Sequence, residues 1–391
     1  MADKKNWGFE TQSIRLQSEQ TQQGEHSVPL YLTSSFTFEN ADEAAALFSG
    51  AQEGNIYSRF SNPNTDEFAH KLAVLEGAEA GVATASGMSA VFTSLAALLS
   101  QGDHLIASRN IFANSTYIIK EILPKWGVDY TLVEDFNDPN WQQHITEQTK
   151  VLFIETPTNP TLEILDLEAL GSVCAKRGVH FVVDNCFATP YLQKPIRFGA
   201  DLVIHSATKW IDGQGRVLGG AIVGKEELVG KCYGFLRRTG PTMSAFNAWV
   251  LSKSLETLAV RMDRHCSNAL AFAKAFEGHP EVERVIYPGL PSHPQHDLAM
   301  KQMRQGGGMV SLVVKGGLHR GKAVLDGLEL FSLTANLGDA RSIATHPAST
   351  THSSLSPADR AAAGISEGLL RFSIGLETVE DLIQDLEQAL I

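Results

Sequence analysis

Cysteine is scarce in this sequence, with four in 391 residues. Cys174, Cys186, Cys232 and Cys266 form no CxxC pair and have no histidine at zinc-ligand spacing, which argues against a disulfide framework or a structural metal. Long apolar runs are missing as well. No stretch approaches the ~18 apolar residues of a membrane span, and the opening MADKKNWGFETQSIRLQ holds no apolar core of about 7–15 residues, as a secretory leader would. A cytoplasmic protein with no membrane partner is expected. Positive charge is short: 32 Lys and Arg against 44 Asp and Glu leave a net charge of −12, which argues against a nucleic-acid binder. Neither GxGxxG nor GxxxxGK[ST] follows the first expected strand, so a nucleotide-binding reading has no motif to rest on. The composition itself, 43% hydrophobic and 19% charged, is that of a globular chain and excludes collagen-like and disordered classes.

At roughly 150 residues per domain, the length predicts two or three domains. Residues 1–60 are polar and Gln-rich, with short apolar pieces such as Val28 to Leu32, so this arm must dock on something. Residues 61–250 alternate short apolar runs with amphipathic stretches, the pattern of βα units on a mainly parallel sheet. Strands are expected at 81–84, 104–107, 151–154, 181–183 and 202–204. A helix capped by Asp166 and stopped by Gly178 lies between two of them. One long helix over 243–275 is predicted to lead into a smaller C-terminal domain, 251–391. That domain has strand candidates at 309–314, 328–333 and 369–374. Its last helix opens on the capping-box pattern Thr378-Val-Glu-Asp381.

In an open parallel sheet the ligand sits beyond the carboxyl ends of the strands. After 81–84 come Ser86, Gly87, Met88 and Ser89, small residues opening an apolar helix; this is either an anion cup or an ordinary tight turn. After 151–154 comes Glu155-Thr-Pro-Thr-Asn-Pro160, where two prolines hold Asn159 stiffly. After 181–183 comes Asp184, a carboxylate ending a very apolar strand, which needs a cationic partner unless it caps a helix. After 202–204 comes His205-Ser-Ala-Thr-Lys-Trp210, then the glycine-rich Asp212 to Arg216. Lys209 there is partly desolvated and nucleophilic toward a carbonyl, although any single lysine is by default a surface residue. Together the four sites are what pyridoxal phosphate requires: an anion cup, a donor to its ring oxygen, a carboxylate for its ring nitrogen and an amine for its aldehyde.

These motifs resemble the Cys/Met-metabolism family of fold-type I pyridoxal-phosphate enzymes over nearly the whole chain. HSATKWIDGQGR is most similar to the sulfhydrylase branch acting on O-succinylhomoserine. The resemblance implies an α/β fold with a seven-stranded, mainly parallel sheet in a large domain and a smaller α+β domain. Lys209 would hold the cofactor. Ser206, Thr208 and the amides of Gly87 and Met88 would hold its phosphate. Asp184 would face the ring nitrogen, Asn159 the ring oxygen, and Phe112 would stack on the ring where the family usually has Tyr. Tyr57 and Arg59 would reach a neighbouring subunit's site, so the arm of residues 1–60 would dock on that subunit and at least a dimer is required; the family further implies a homotetramer built as a dimer of dimers. Arg371 would clamp the substrate α-carboxylate, with Asn336 and Tyr57 also at the substrate. Methionine γ-lyases carry Cys where this chain has Asn114, and cystathionine-handling members often carry Glu before the segment read here as Ala335-Asn-Leu-Gly338. The reaction that the resemblance implies is γ-replacement of O-succinyl-L-homoserine by sulfide, with cystathionine γ-synthase, O-acetylhomoserine sulfhydrylase and methionine γ-lyase activities as the alternatives. Arg216, or else Arg341, is expected to read the distal carboxylate of the succinyl group, with a local ion pair as the alternative for Arg216.

Overall fold

Along Thr149–Glu155, Val151 and Phe153 enter one apolar cluster while Leu152 and Ile154 enter another, so the strand is buried on both faces. Phe181 and Val183 alternate with Val182 in the same way, and Ile106 with Leu105 and Ala107. A continuous apolar run thus becomes a strand only because helices cover both sides of the sheet. The computed structural model describes residues 7–351, 353, 360 and 363–391.

The larger sheet contains β1 (Ala80–Thr84), β2 (His104–Ser108), β3 (Asp129–Val133), β4 (Thr149–Glu155), β5 (His180–Asp184), β6 (Leu202–His205) and β7 (Gly220–Gly224), in the order β1-β7-β6-β5-β4-β2-β3. Only β7 runs against the rest, pairing antiparallel with both β1 and β6. Helices Gly87–Leu98 and Glu226–Thr239 cover one face; Pro63–Glu76, Leu167–Arg177 and Ala245–Leu255 cover the other. The smaller sheet contains β8 (Val282–Ile286), β9 (Met309–Val314), β10 (Ser332–Leu333), β11 (Ile343–Thr345) and β12 (Leu369–Ser373), in the order β10-β11-β12-β9-β8. Helices Leu258–Phe276 and Val379–Ala389 pack on it through Phe272, Phe276, Leu382 and Leu386. Each such fully buried side chain contributes about 1.5–3 kcal/mol.

The expected strands are present, and the helix after β4 starts and stops as read, with Asp166 accepting from the Ala169 N–H at 2.9 Å and Gly178 at φ 67°. Several details differ. The long helix expected over 243–275 is two, Ala245–Leu255 and Leu258–Phe276, because the Arg261 guanidinium captures the Ser254 carbonyl at 3.0 Å where the helical ladder would continue. The strand expected over 328–333 shortens to Ser332–Leu333, since the carboxylate of Asp385 takes the backbone N–H groups of Glu329 and Leu330. Thr378 makes no side-chain cap, and the final helix is held by its apolar stripe. The N-terminal arm makes contacts with its own chain: Trp249 Nε1 donates to the Val28 carbonyl, the Tyr31 N–H to Asn64 and the Ser18 N–H to Glu67, each at 2.8 Å. Leu32 and Phe48 remain 72% and 61% exposed on that arm. Among the described residues no helix is long and apolar enough to cross a membrane.

Candidate active site

Because β7 alone is reversed, the carboxyl ends of β1, β6, β5, β4 and β2 share one edge of the sheet. Register levels three of them: Glu155 of β4 lies beside Asp184 of β5, and Asp184 beside Ile204 of β6.

The turn after β6 presents Lys209. Its backbone is pinned from outside, with Arg261 donating to the carbonyls of Trp210 at 2.6 Å and Ile211 at 3.0 Å, and with Trp210 fully buried against Gly338. The Lys209 ammonium donates to Asn336 Oδ1 at 2.6 Å. Burial holds its pKa below the ordinary lysine range, with Cys186 opposing and the Arg371 charge adding to the depression. Thr208 Oγ1 exchanges hydrogen bonds with the backbone of Gly219. Ser206 abuts the start of the helix Gly87–Leu98, where a Cβ on Gly87 would stand 2.5 Å from the Ser206 Cβ. That helix is capped by Ser86, which accepts from the Ser89 N–H at 3.1 Å. The amides of Gly87 and Met88 at its first turn have no helical partner.

Asp184 forms the floor of the cleft, partly accessible yet deeply surrounded. Its Oδ1 accepts from the Cys186 N–H at 3.0 Å, so it makes a turn contact and caps no helix. Among the described residues no cation pairs with it, and burial pushes its pKa up to about 6 against the lowering effect of that bond and of His205. Arg371, on β12 of the smaller sheet, is 2% exposed. It donates to Asn159 Oδ1 at 3.0 Å, the Asn336 carbonyl at 3.2 Å and Thr345 Oγ1 at 3.3 Å, while its Nε has no partner. Burial lowers its pKa to about 10. A continuous chain therefore runs Lys209, Asn336, Arg371, Asn159 across the two sheets. Beside it, the Phe112 backbone N–H donates to Glu155 Oε2 at 2.7 Å.

Two further groups were not singled out from the sequence. Glu155 is 5% exposed beside Asp184, and burial, then the Asp184 charge, raise its pKa well above the carboxylate range. Glu76 and His205 form a buried pair at 3.0 Å behind β6. Glu155 could have been flagged as a second carboxylate ending an apolar strand. Glu76, 129 residues from its partner, carries no such signal.

Other expected site residues stand apart in this chain. Tyr57 is 41% exposed, and Arg59 donates to the Arg237 carbonyl and lies 4.9 Å from the Phe60 ring centroid. Among the described residues no hydrogen bond, ion pair or ring contact joins either to Lys209, Asp184 or Arg371. Arg216 is committed locally: its Nε donates to the buried Asp212 carboxylate at 3.0 Å and its Nη2 to Ser254 at 2.6 Å, which favours the ion-pair alternative. Arg341 pairs with Asp339 at 3.2 Å.

A half-buried lysine, a carboxylate with no cation beside it among the described residues and a helix whose first-turn amides lack helical partners, all at the strand ends of one α/β sheet, are the furniture of a cofactor-dependent enzyme. The Cys/Met metabolism PLP-dependent enzyme family matches residues 10–391, and the chain belongs to it. The O-succinylhomoserine sulfhydrylase of Pseudomonas aeruginosa is 45% identical over 391 residues, covering 100% of this chain and 96% of the relative. The L-methionine gamma-lyase of Porphyromonas gingivalis is 41% identical, covering 98% and 97%. Among solved structures, a putative O-acetylhomoserine (thiol)-lyase of Campylobacter jejuni carrying N'-pyridoxyl-lysine-5'-monophosphate superposes with a TM-score of 0.94 at 35% identity, covering 98% of this chain and 100% of that one. The cofactor is pyridoxal phosphate and the substrates are small molecules.

The residues present fit that cofactor. Asp184 lacks the cation that a ring nitrogen would provide, and the Gly87 backbone is packed so closely on Ser206 that no side chain could occupy the cup.

Proposed function

We propose that this protein catalyses γ-replacement, converting O-succinyl-L-homoserine and sulfide to L-homocysteine and succinate. The observation that carries the choice of reaction is the 45% identity, over the full length, to a sulfhydrylase acting on that ester. When bound, pyridoxal phosphate supplies an aldehyde that captures amines and a ring that accepts electrons. Lys209 is the nucleophile for that aldehyde, because burial disfavours its charged form. Ser206, Thr208 and the amides of Gly87 and Met88 would hold the phosphate, Asp184 the ring nitrogen, Asn159 the ring oxygen and Phe112 the ring face.

Arg371 takes the substrate α-carboxylate, whose oxygens satisfy the otherwise unpaired Nε. As a free amine Lys209 would take the proton from Cα, give it up again within the site and only then take one from Cβ, the protons returning to carbon after sulfide has added. The Cγ–O bond breaks to release succinate, and sulfide forms the new Cγ–S bond. Asn336, which already holds the Lys209 ammonium, fixes the direction from which that amine acts. Residues 61–250 would form the cofactor domain, 251–391 the substrate-clamping domain and 1–60 an arm. Tyr57 and Arg59 would serve a neighbouring site in a homotetramer arranged as a dimer of dimers.

The alternative is methionine γ-elimination, favoured by the 41% identity to L-methionine gamma-lyase. Product analysis decides. Purified protein given O-succinylhomoserine and sulfide should yield homocysteine and succinate, with the O-acetyl ester a poorer substrate. Methionine alone should yield no methanethiol. Rapid methanethiol release, or an acetyl preference, would sink the reading.

A further inference from the structure

A second cleft, about 670 Å³ in volume, shares no residue with the cofactor and substrate assignments above. Trp7, Phe9 and Gln12 of the arm form one side of it, and parts of the segments 191–198 and 301–304 the other. Lys194, Arg197, Lys301 and Arg304 line it and, among the described residues, no aspartate or glutamate does, in a chain whose acids outnumber its bases 44 to 32. Like charges gathered in this way repel each other, so the cluster is costly unless something answers it. Lys301 is answered by Glu168 at 2.6 Å and Arg304 by Glu10 at 3.7 Å. Lys194 and Arg197 are not: among the described residues neither side chain has a hydrogen-bond acceptor or a carboxylate within ion-pair range. The acid whose charge acts on Lys194, Glu76, is fully buried and already bonded to His205 at 3.0 Å.

Aromatic rings hold two of these cations in place without satisfying their N–H groups. The Lys194 ammonium stands 5.4 Å from the Phe9 ring centroid and the Arg304 guanidinium 4.4 Å from that of Tyr191, and the two rings meet edge to face at 5.1 Å. An ammonium and a guanidinium carry several N–H donors each, and a ring face answers few of them. What the arrangement calls for is an acceptor with more than one negative charge. We propose that this cleft binds a small polyanion, bearing phosphate groups or clustered carboxylates, with Lys194 and Arg197 as its principal ligands and Arg304 as a third. The site stands independently of the reaction proposed above.

Pyrophosphate and citrate are the probes, one for each source of that charge. Titrated calorimetrically into holoenzyme, whose seat for the cofactor phosphate is already filled, at least one of them should bind saturably, and the tighter of the two names the chemistry. Lys194→Gln and Arg197→Gln should each weaken that binding at least about tenfold, the loss of a charge-assisted hydrogen bond. Lys274→Gln, at an exposed position on the helix Leu258–Phe276, should leave it unchanged. No saturable binding by either probe would overturn the proposal. So would wild-type affinity in either variant, or equal weakening by Lys274→Gln, the mark of a general charge effect. Arg197 is exposed, so its variant is expected to fold; should Lys194→Gln fail to, Arg197→Gln decides alone.

Discussion

Asp184 illustrates how a single group couples the cofactor to stability. Its pKa of about 6 lies above the ordinary 3.8, so the folded chain binds this proton more tightly than the unfolded chain does. The stabilisation is present in full below about pH 4 and is lost as pH rises through about 6. Apoprotein carrying Asp184→Asn should therefore melt above the wild-type apoprotein at pH 7, with the difference closing toward pH 4; parallel melting curves measure it. A gap that stays constant across that window would show that ionisation of Asp184 costs the fold nothing. The placement of Lys209 and Asp184 at strand ends was legible because an apolar run marks where each strand stops, whereas Arg371 was picked out by family resemblance alone. Their partners were less readable. The Lys209–Asn336 bond joins residues 127 apart, and the Glu155 bond to Phe112 joins residues 43 apart. Nothing local marks either pairing. For Arg216 the sequence left the distal carboxylate and a local ion pair both open, because nothing local shows that Asp212, four residues earlier, is fully buried and takes the guanidinium.

Elements, unlike pairs, were largely legible, because burial on both faces leaves an apolar run in the sequence. β7 escaped notice since glycines bound its short run, Gly220-Ala-Ile-Val-Gly224, and it follows a glycine-rich turn. β8 escaped because Glu283 and Arg284 face outward at the edge of the smaller sheet. The break between the helices Ala245–Leu255 and Leu258–Phe276 escaped because it is imposed by a tertiary contact, Arg261 on Ser254, in residues that favour helix throughout. At the first turn of Gly87–Leu98 the contact is steric. Gly87→Ala would press a methyl into Ser206, and overpacking of about 1–3 kcal/mol, if it falls on the cup, corresponds to roughly 5–150-fold weaker cofactor binding. Titration of the apoprotein with pyridoxal phosphate, followed by visible absorbance, would measure the loss. Unchanged affinity would mean that the Ser206 side yields freely and that the cup is wider than its packing implies.

Across the whole molecule the charge arithmetic hides a local inversion. The chain bears a net −12, yet Lys209 and Arg371 meet at the site where anionic substrates would bind. If Arg59 serves a neighbouring site, mixing Lys209→Ala protein with Arg59→Ala protein under conditions of subunit exchange should restore up to about one quarter of wild-type activity. Half of the dimers would then be mixed, with one intact site in each. Mixtures as inactive as their components would place each complete site within one chain.

The chain from Lys209 through Asn336 to Arg371 has a mechanical meaning. Asn336 holds the amine with its side chain and the guanidinium with its backbone, and both Asn336 and Arg371 ride on the smaller sheet's side of the cleft. Under the proposed roles of Lys209 and Arg371, the tether of the nucleophile and the grip on the carboxylate would therefore share one lever arm. A shift of that side against the strand tips would move both together, so loosening the substrate and freeing the lysine are a single motion.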